Sequence, residues 1–82
     1  MLRPMNTLIV RFVGPVRRPG AERSLEVDPG QLATVADLLR HLGYEEQEQS
    51  SLTVLLDGAR ANLGDPVSGV STAEILIAIG GG

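Results

Sequence analysis

The stretch that decides the fold is Ala73-Glu74-Ile75-Leu76-Ile77-Ala78-Ile79-Gly80-Gly81-Gly82. Residues 75–79 are Ile, Leu or Ala without a break, which is typical of a strand buried on both faces of a sheet. Three glycines follow, and because they have no side chains they neither pack nor favour one backbone conformation. We therefore expect a closing strand over 73–79 and then a flexible arm, residues 80–82, that bears the α-carboxylate.

Length and composition predict one small domain with an aliphatic core. Eighty-two residues are too few for a large internal catalytic cleft, so we expect a single domain over 1–79 and a tail over 80–82. Phe12 and Tyr44 are the only aromatic residues. The chain has no cysteine, which excludes a disulfide framework, a thiolate nucleophile and a cysteine metal site.

The charge and hydropathy patterns predict a cytoplasmic protein with no nucleic-acid or membrane partner. A net charge of −3 is the wrong sign for neutralising phosphates. No apolar stretch approaches the roughly 18 residues of a membrane span, and the N-terminal residues lack the apolar segment of a signal peptide. All seven cations are arginine, which indicates either avoidance of amines near an activated carboxyl group or, more simply, an arginine-favouring codon composition.

The first third of the chain predicts a β-hairpin. Residues 7–13 are rich in β-branched side chains, and alternation places Leu8, Val10 and Phe12 on one face, the better core candidate. The other face receives Ile9, Arg11 and Val13. Residues 23–27 alternate polar and apolar until Asp28-Pro29-Gly30 ends the second strand.

One principal helix is predicted over about 34–43. Thr34 and Asp37 have the spacing of a capping box, and Gly43 supplies a left-handed stop. The apolar stripe of this helix, which must pack on the sheet, consists of Val35, Leu38, Leu39 and Leu42.

The second half predicts three further strands. Residues 44–50 are polar and acidic, as in a solvated connection, and residues 52–56 form a strand before the tight-turn signal Asp57-Gly58. Residues 59–62 turn back as a short edge strand, and 73–79 close the sheet. One right-handed crossover through the helix places the last strand beside the first, parallel to it and in the middle.

These elements predict an α+β fold of the β-grasp, or ubiquitin-like, type: a mixed sheet of four to five strands with one principal helix on one face. A ferredoxin-like fold is the main alternative, and it requires a second helix that residues 62–72 do not supply.

No residue pattern predicts catalysis by the chain itself. His41 is most simply a solvated residue near the helix C-terminus, and local backbone hydrogen bonding explains Asp57 and Asp65 in their turns. The acidic run 45–48 lacks the spacing of a calcium loop, and no phosphate-binding glycine loop is present. We therefore expect neither an enzyme nor a bound metal or cofactor.

The chain resembles the MoaD/ThiS sulfur-carrier superfamily, ubiquitin-like proteins that include the molybdopterin synthase small subunit and the thiamine-pathway sulfur carrier. Each matching segment is degenerate; their order, together with the terminal Gly81-Gly82, is the specific feature. The segments are Val10-Arg11-Phe12, Thr34-Val35-Ala36-Asp37-Leu38-Leu39, Val54-Leu55-Leu56-Asp57-Gly58 and the closing stretch from Glu74.

The resemblance implies a carrier that other proteins act on. A ubiquitin-activating-like enzyme would use ATP to adenylate the carboxylate of Gly82, and a sulfur donor would convert it to a thiocarboxylate. Gly80 and Gly81 would form the tail that reaches a sulfur-accepting synthase, of which the chain could be the small subunit.

The resemblance leaves the pathway open. A strand that runs directly into Gly-Gly-Gly is similar to the thiamine-type carrier, whereas the long first hairpin, 12–27, is similar to the molybdopterin type. Two other functions use the same features differently: a protein modifier conjugated through Gly82, and a non-covalent interaction module with an incidental tail.

A docking surface for the partners is expected on the sheet face away from the helix. Alternation along the closing strand places Leu76 and Ala78 together, and these can join Ile9 or Leu55 in an apolar patch. The alternative is that loops cover this patch.

Overall fold

The computed structural model of the chain describes residues 7–14, 16, 20 and 22–77. Within these ranges the strands are β1 (Leu8–Phe12), β2 (Ser24–Val27), β3 (Leu52–Leu56), β4 (Ala59–Ala61) and β5 (Thr72–Ile77). The helices are α1 (Val35–His41) and α2 (Glu46–Gln49), with a 3₁₀ turn at Pro29–Gln31. None of the helices in the described ranges is long and apolar enough to cross a membrane.

The five strands form one mixed sheet in the order β2-β1-β5-β3-β4. The last strand, β5, lies in the middle, parallel to β1 and antiparallel to β3. β1 and β2 form the antiparallel hairpin, and β4 pairs with β3 at the other edge. The predicted arrangement, in which the closing strand runs beside the first, is confirmed.

The core lies between α1 and one face of the sheet. The predicted core face of β1 and the predicted stripe of α1 are buried in the same cluster, as are Ala73 and Ile75 of β5. Removing each buried Val, Leu, Ile or Phe side chain from water stabilises the fold by about 1.5–3 kcal/mol. The buried hydrophobic residues are Leu8, Val10, Phe12, Val16, Val27, Val35, Leu38, Leu39, Leu42, Tyr44, Val54, Val67, Ala73 and Ile75.

Local signals set both ends of α1. The Thr34 hydroxyl accepts a hydrogen bond from the Asp37 backbone N–H at 3.4 Å, and the Asp37 carboxylate accepts from the Thr34 N–H at 3.2 Å. Gly43, with φ 95°, ends the helix in the left-handed region as predicted. The backbone N–H groups of Thr34 and Ala33 bind the carboxylate and lower the pKa of Asp37.

The prediction of a solvated connection over 44–50 is wrong. Residues 46–49 form α2, and the Glu45 backbone N–H donates to the Glu48 carboxylate at 3.2 Å at its start. Gln49 is buried and donates from Nε2 to the Tyr44 carbonyl at 3.2 Å, and Tyr44 itself is buried. The segment is polar in sequence, but two of its side chains complete the core.

The turn between β3 and β4 is bound to the beginning of β5. Asp57 (φ 50°) and Gly58 (φ 86°) both occupy the left-handed region, as in a type I′ turn. The Asp57 carboxylate accepts hydrogen bonds from the backbone N–H groups of Ser71 at 3.1 Å and Thr72 at 2.9 Å. These bonds span 14 and 15 residues, so the prediction of purely local bonding at Asp57 is wrong.

The other turn carboxylate, Asp65, behaves as predicted. It accepts a hydrogen bond from the Asn62 backbone N–H at 2.8 Å, three residues away. This carboxylate therefore stabilises only its own turn.

Candidate functional site

The candidate site is the face of the sheet opposite α1, which we call the open face. Because successive strand residues alternate between faces, the residues next to the core positions lie there. On the three central strands these are Ile9, Arg11, Thr53, Leu55, Thr72, Glu74 and Leu76, with Ser24 and Glu26 on β2 and Arg60 on β4.

The middle of the open face is charged. Arg11 on β1 lies opposite Glu74 on β5, and Leu55 on β3 lies opposite Glu74 on its other side. Arg60 on β4 lies opposite Leu55. Glu74 is half-buried, whereas both arginines are exposed. The row therefore presents one carboxylate between two exposed guanidinium groups. A partner with the complementary pattern of charges could bind it in one orientation.

Val13 and Leu76 lie at the end of the open face where β5 ends, and Leu55 is their apolar neighbour in the middle row. The Val13 N–H donates to the Ile75 carbonyl at 2.9 Å, which continues the β1–β5 pairing and places Val13 opposite Leu76. Leu76 lies opposite Thr53, two residues from Leu55 on the same face. Val13 is 39% exposed, and the two leucines are half-buried. We call Val13, Leu55 and Leu76 the exit cluster.

The structure separates the predicted docking residues into two groups. Leu55 and Leu76 are diagonal neighbours, but Ile9 lies opposite Thr72, on the far side of the Arg11–Glu74 row. Ala78 and the tail, Gly80, Gly81 and Gly82, lie outside the described residues. Val13 was absent from the predicted patch, although alternation in β1 had placed it on this face.

An apolar cavity lies beside the last described residue of β5. Ile77 is 39% exposed, which reflects its position beyond the most buried part of the core. The cavity next to it has a volume of about 330 Å³. Its lining consists of Val16, Tyr44, Leu52 and Ile77 with Gln47, Glu48 and Ser51.

The other titratable residues do not gather into a reactive centre within the described ranges. His41 is the exposed last residue of α1. Asp57 and Asp65 are occupied by the backbone hydrogen bonds described above. Across the described part of the chain, no group of three His, Cys, Asp or Glu side chains is placed to hold a metal ion.

The fold and the open face define a ubiquitin-like β-grasp domain of the α+β class. Among solved structures, the chain is similar to the crystal structure of SAMP1 from Haloferax volcanii, a ubiquitin-like small archaeal modifier protein. The TM-score is 0.65 and the sequence identity 18%, over 93% of this chain and 99% of that one. At this identity the likeness shows the fold alone. No protein-family model and no curated protein sequence matches the chain.

Proposed function

We propose that the chain is a ubiquitin-like sulfur carrier whose working group is the carboxylate of Gly82. One observation carries this proposal: three glycines, residues 80–82, come three residues after Ile77, the last described residue of the central strand of a β-grasp sheet. β5 is hydrogen-bonded on both sides, so the sheet is a rigid base from which the last five residues, 78–82, begin.

The proposed chemistry has two steps, and the chain supplies only the carboxylate. A carboxylate oxygen of Gly82 attacks the α-phosphate of ATP held by an adenylating enzyme, and pyrophosphate leaves. A sulfur donor then attacks the carbonyl carbon, the C–S bond forms, and AMP departs with the electron pair of the broken C–O bond. The resulting thiocarboxylate is the sulfur source for an accepting synthase, of either the molybdopterin or the thiamine type.

Glycine at the last positions suits this chemistry. An acyl carbon that other enzymes attack must enter a narrow site, and a β-carbon on the arm would restrict the allowed backbone paths. Correct placement of the reacting carbon relative to the attacking group lowers the activation barrier of such reactions, by on the order of 7–11 kcal/mol in favourable cases. Residues 80–82 have no side chain to oppose that placement.

The open face is proposed as the docking surface for the adenylating enzyme. The exit cluster offers apolar contact at the end of β5, and the row of Arg11, Glu74 and Arg60 offers alternating charges next to it. Apolar centres bordered by charges are typical of transient protein interfaces, in which charge sets orientation and association rate.

Intact-mass measurement tests the carrier function. The protein is incubated with its adenylating enzyme, ATP and a sulfide source, and we expect an acyl-adenylate followed by the replacement of one oxygen by sulfur. The matched control lacks Gly80, Gly81 and Gly82, because removing Gly82 alone would leave another diglycine end, and it is expected to show neither mass. An unchanged mass with an enzyme proven active on another carrier contradicts the proposal. Intact mass of the protein from its native source also identifies its terminal residue.

A second candidate is a protein modifier that forms an isopeptide bond through Gly82. The fold shared with a small archaeal modifier protein favours it. This function predicts conjugate bands on other proteins and Gly-Gly remnants on their lysines, both lost on deletion of Gly82. A non-covalent interaction module predicts instead that removing Gly81 and Gly82 leaves partner binding unchanged.

A further inference from the structure

Every cation of the chain is an arginine, and the 82 residues contain no lysine. The two side chains differ in chemistry as well as shape. A guanidinium group stays protonated throughout the physiological pH range, so it does not attack acyl groups near neutral pH. A lysine amine with a pKa near 10.4 is neutral in about one molecule per thousand at pH 7.5, and that fraction is nucleophilic.

Arginines lie within reach of the chain terminus. Five residues follow Ile77 and, fully extended, span roughly 17 Å. Arg11 lies one strand from β5, opposite Glu74, which places its Cα roughly 11 Å from that of Ile77 by sheet geometry. An amine at position 11 would therefore be held near an activated Gly82 at an effective concentration on the order of millimolar.

Resting on the proposed activation of Gly82, we propose that the chain donates its activated carboxyl group to amines and offers no side-chain amine that could receive it. Attack by an acceptor amine forms a C–N bond, the C–O bond to AMP or the C–S bond of a thioester breaks, and the ammonium proton passes to solvent. Apart from an N-terminal α-amine, the 82 residues offer no amine, so the acceptor amine belongs to another kind of molecule. Each acceptor amine therefore receives a single copy, and lysine-linked chains of this protein do not form.

The arginines of the open face explain how the chain can lack acceptor amines and still present positive charge to a docking partner. Arg11 and Arg60 present positive charge beside the exit cluster. Lysine at either position would present the same charge together with an amine that the tail can reach. Arginine thus keeps the electrostatic surface and removes the competing acceptor.

The test uses the full chain as a Gly82 α-thioester released from an intein fusion, so it needs no activating enzyme. Three proteins are compared with their α-amines acetylated: wild type, Arg11→Lys and Gln31→Lys. Gln31 is an exposed residue of the 3₁₀ turn after β2. The last residue of β2, Val27, pairs with Leu8 and lies two strands and six residues along the sheet from Ile77, so Gln31→Lys supplies an amine farther from the tail than Arg11→Lys does. Thioester loss and products are followed by intact mass at pH 8.5 and low micromolar concentration.

We expect wild type and Gln31→Lys to lose the thioester by hydrolysis alone. Arg11→Lys is expected to lose it about tenfold faster, at a rate independent of protein concentration, through effective-concentration gain. Its product is a hydroxylamine-resistant species one water lighter than the acid. Amide products in the wild type would contradict the proposal that the chain offers no acceptor amine. An Arg11→Lys rate equal to that of Gln31→Lys would contradict the proposal that the tail reaches position 11. Because the thioester is made chemically, either result stands apart from failure of enzymatic activation.

Discussion

The two ends of β5 differ in how the protein holds them. At the beginning, Asp57 binds the N–H groups of Ser71 and Thr72 through its carboxylate, and its own N–H donates to the Thr72 carbonyl at 2.8 Å. At the other end, Ile77 is 39% exposed and borders an open cavity. The central strand is therefore anchored where it begins and accessible at Ile77, its last described residue, which suits a strand whose following residues are handled by other proteins.

The largest effect is expected from a pair of substitutions on β5 itself. Ile75 is fully buried and Ile77 is 39% exposed, two residues apart on the same face. Ile75→Ala should lower the free energy of unfolding by about 2–5 kcal/mol, because it removes core contacts and leaves a cavity. Ile77→Ala should cost no more than about 1 kcal/mol. Urea unfolding measures both, and equal losses would contradict the difference between the two ends.

The anchor at the beginning of β5 is tested at Asp57. Asp57→Ala should lower the free energy of unfolding by about 1–3 kcal/mol, because two backbone N–H groups lose their acceptor and the left-handed φ no longer has a tolerant residue. Asp57→Asn, which tolerates that φ and keeps one acceptor oxygen, should lose less.

Asp65→Ala is the matched control for the anchor, because that carboxylate serves only its own turn. It should cost about 0.5–1.5 kcal/mol, the net value of one hydrogen bond. A larger loss of stability at Asp65 than at Asp57 would show that the long-range hydrogen bonds of Asp57 contribute no more to stability than those of an ordinary turn.

The open end of β5 is tested by partner recognition. Leu76→Asp places a charge in the exit cluster and should reduce kcat/KM for adenylation about tenfold or more, with little change in stability, since apolar contact at an interface centre is lost. Leu63→Asp makes the same change at a leucine that is 41% exposed and lies outside the open face. Equal kinetics for the two variants would remove the exit cluster from the docking surface.

The smallest effect concerns acid sensitivity at α1, away from both ends of β5. The lowered pKa of Asp37 means that its carboxylate stabilises the fold above its usual pKa of 3.8. That contribution disappears as the pH falls through the lower pKa of the folded state. Wild type should therefore exceed Asp37→Asn in stability at pH 7, and the difference should shrink towards pH 2.5. A difference that does not change with pH would contradict the capping interaction as described.

Local signals in the sequence were sufficient for α1 and for the order of the strands. Thr34, Asp37 and Gly43 each act within a few residues, so their hydrogen bonds and backbone angles follow from spacing alone. The unbroken apolar run before the glycines predicted a strand buried on both faces. β5 does occupy the middle of the sheet, but the prediction of burial on both faces is wrong, because Glu74 and Leu76 are only half-buried on the open face.

The features that sequence reasoning missed depend on distant neighbours. Nothing local tells that Asp57 meets Thr72, 15 residues away. Gln49 lies only five residues from the Tyr44 carbonyl, but its polar sequence context gives no sign that it is buried. Val13 joins the exit cluster only because the parallel register of β1 and β5 places it opposite Leu76. The sequence therefore predicted which face of the sheet carries the candidate site. The division of that face into a charged row and an apolar end became visible only from the pairing register of β1, β5 and β3.

The most direct test of the central claim is ATP–pyrophosphate exchange catalysed by the adenylating enzyme, with the chain as the acyl substrate. Exchange reports reversible formation of the acyl-adenylate and needs neither a sulfur donor nor an acceptor. We predict exchange that saturates with the intact chain and falls to background when Gly81 and Gly82 are removed from an otherwise folded protein. Exchange that persists without these two residues would show that the carboxylate of Gly82 is not the group that is activated.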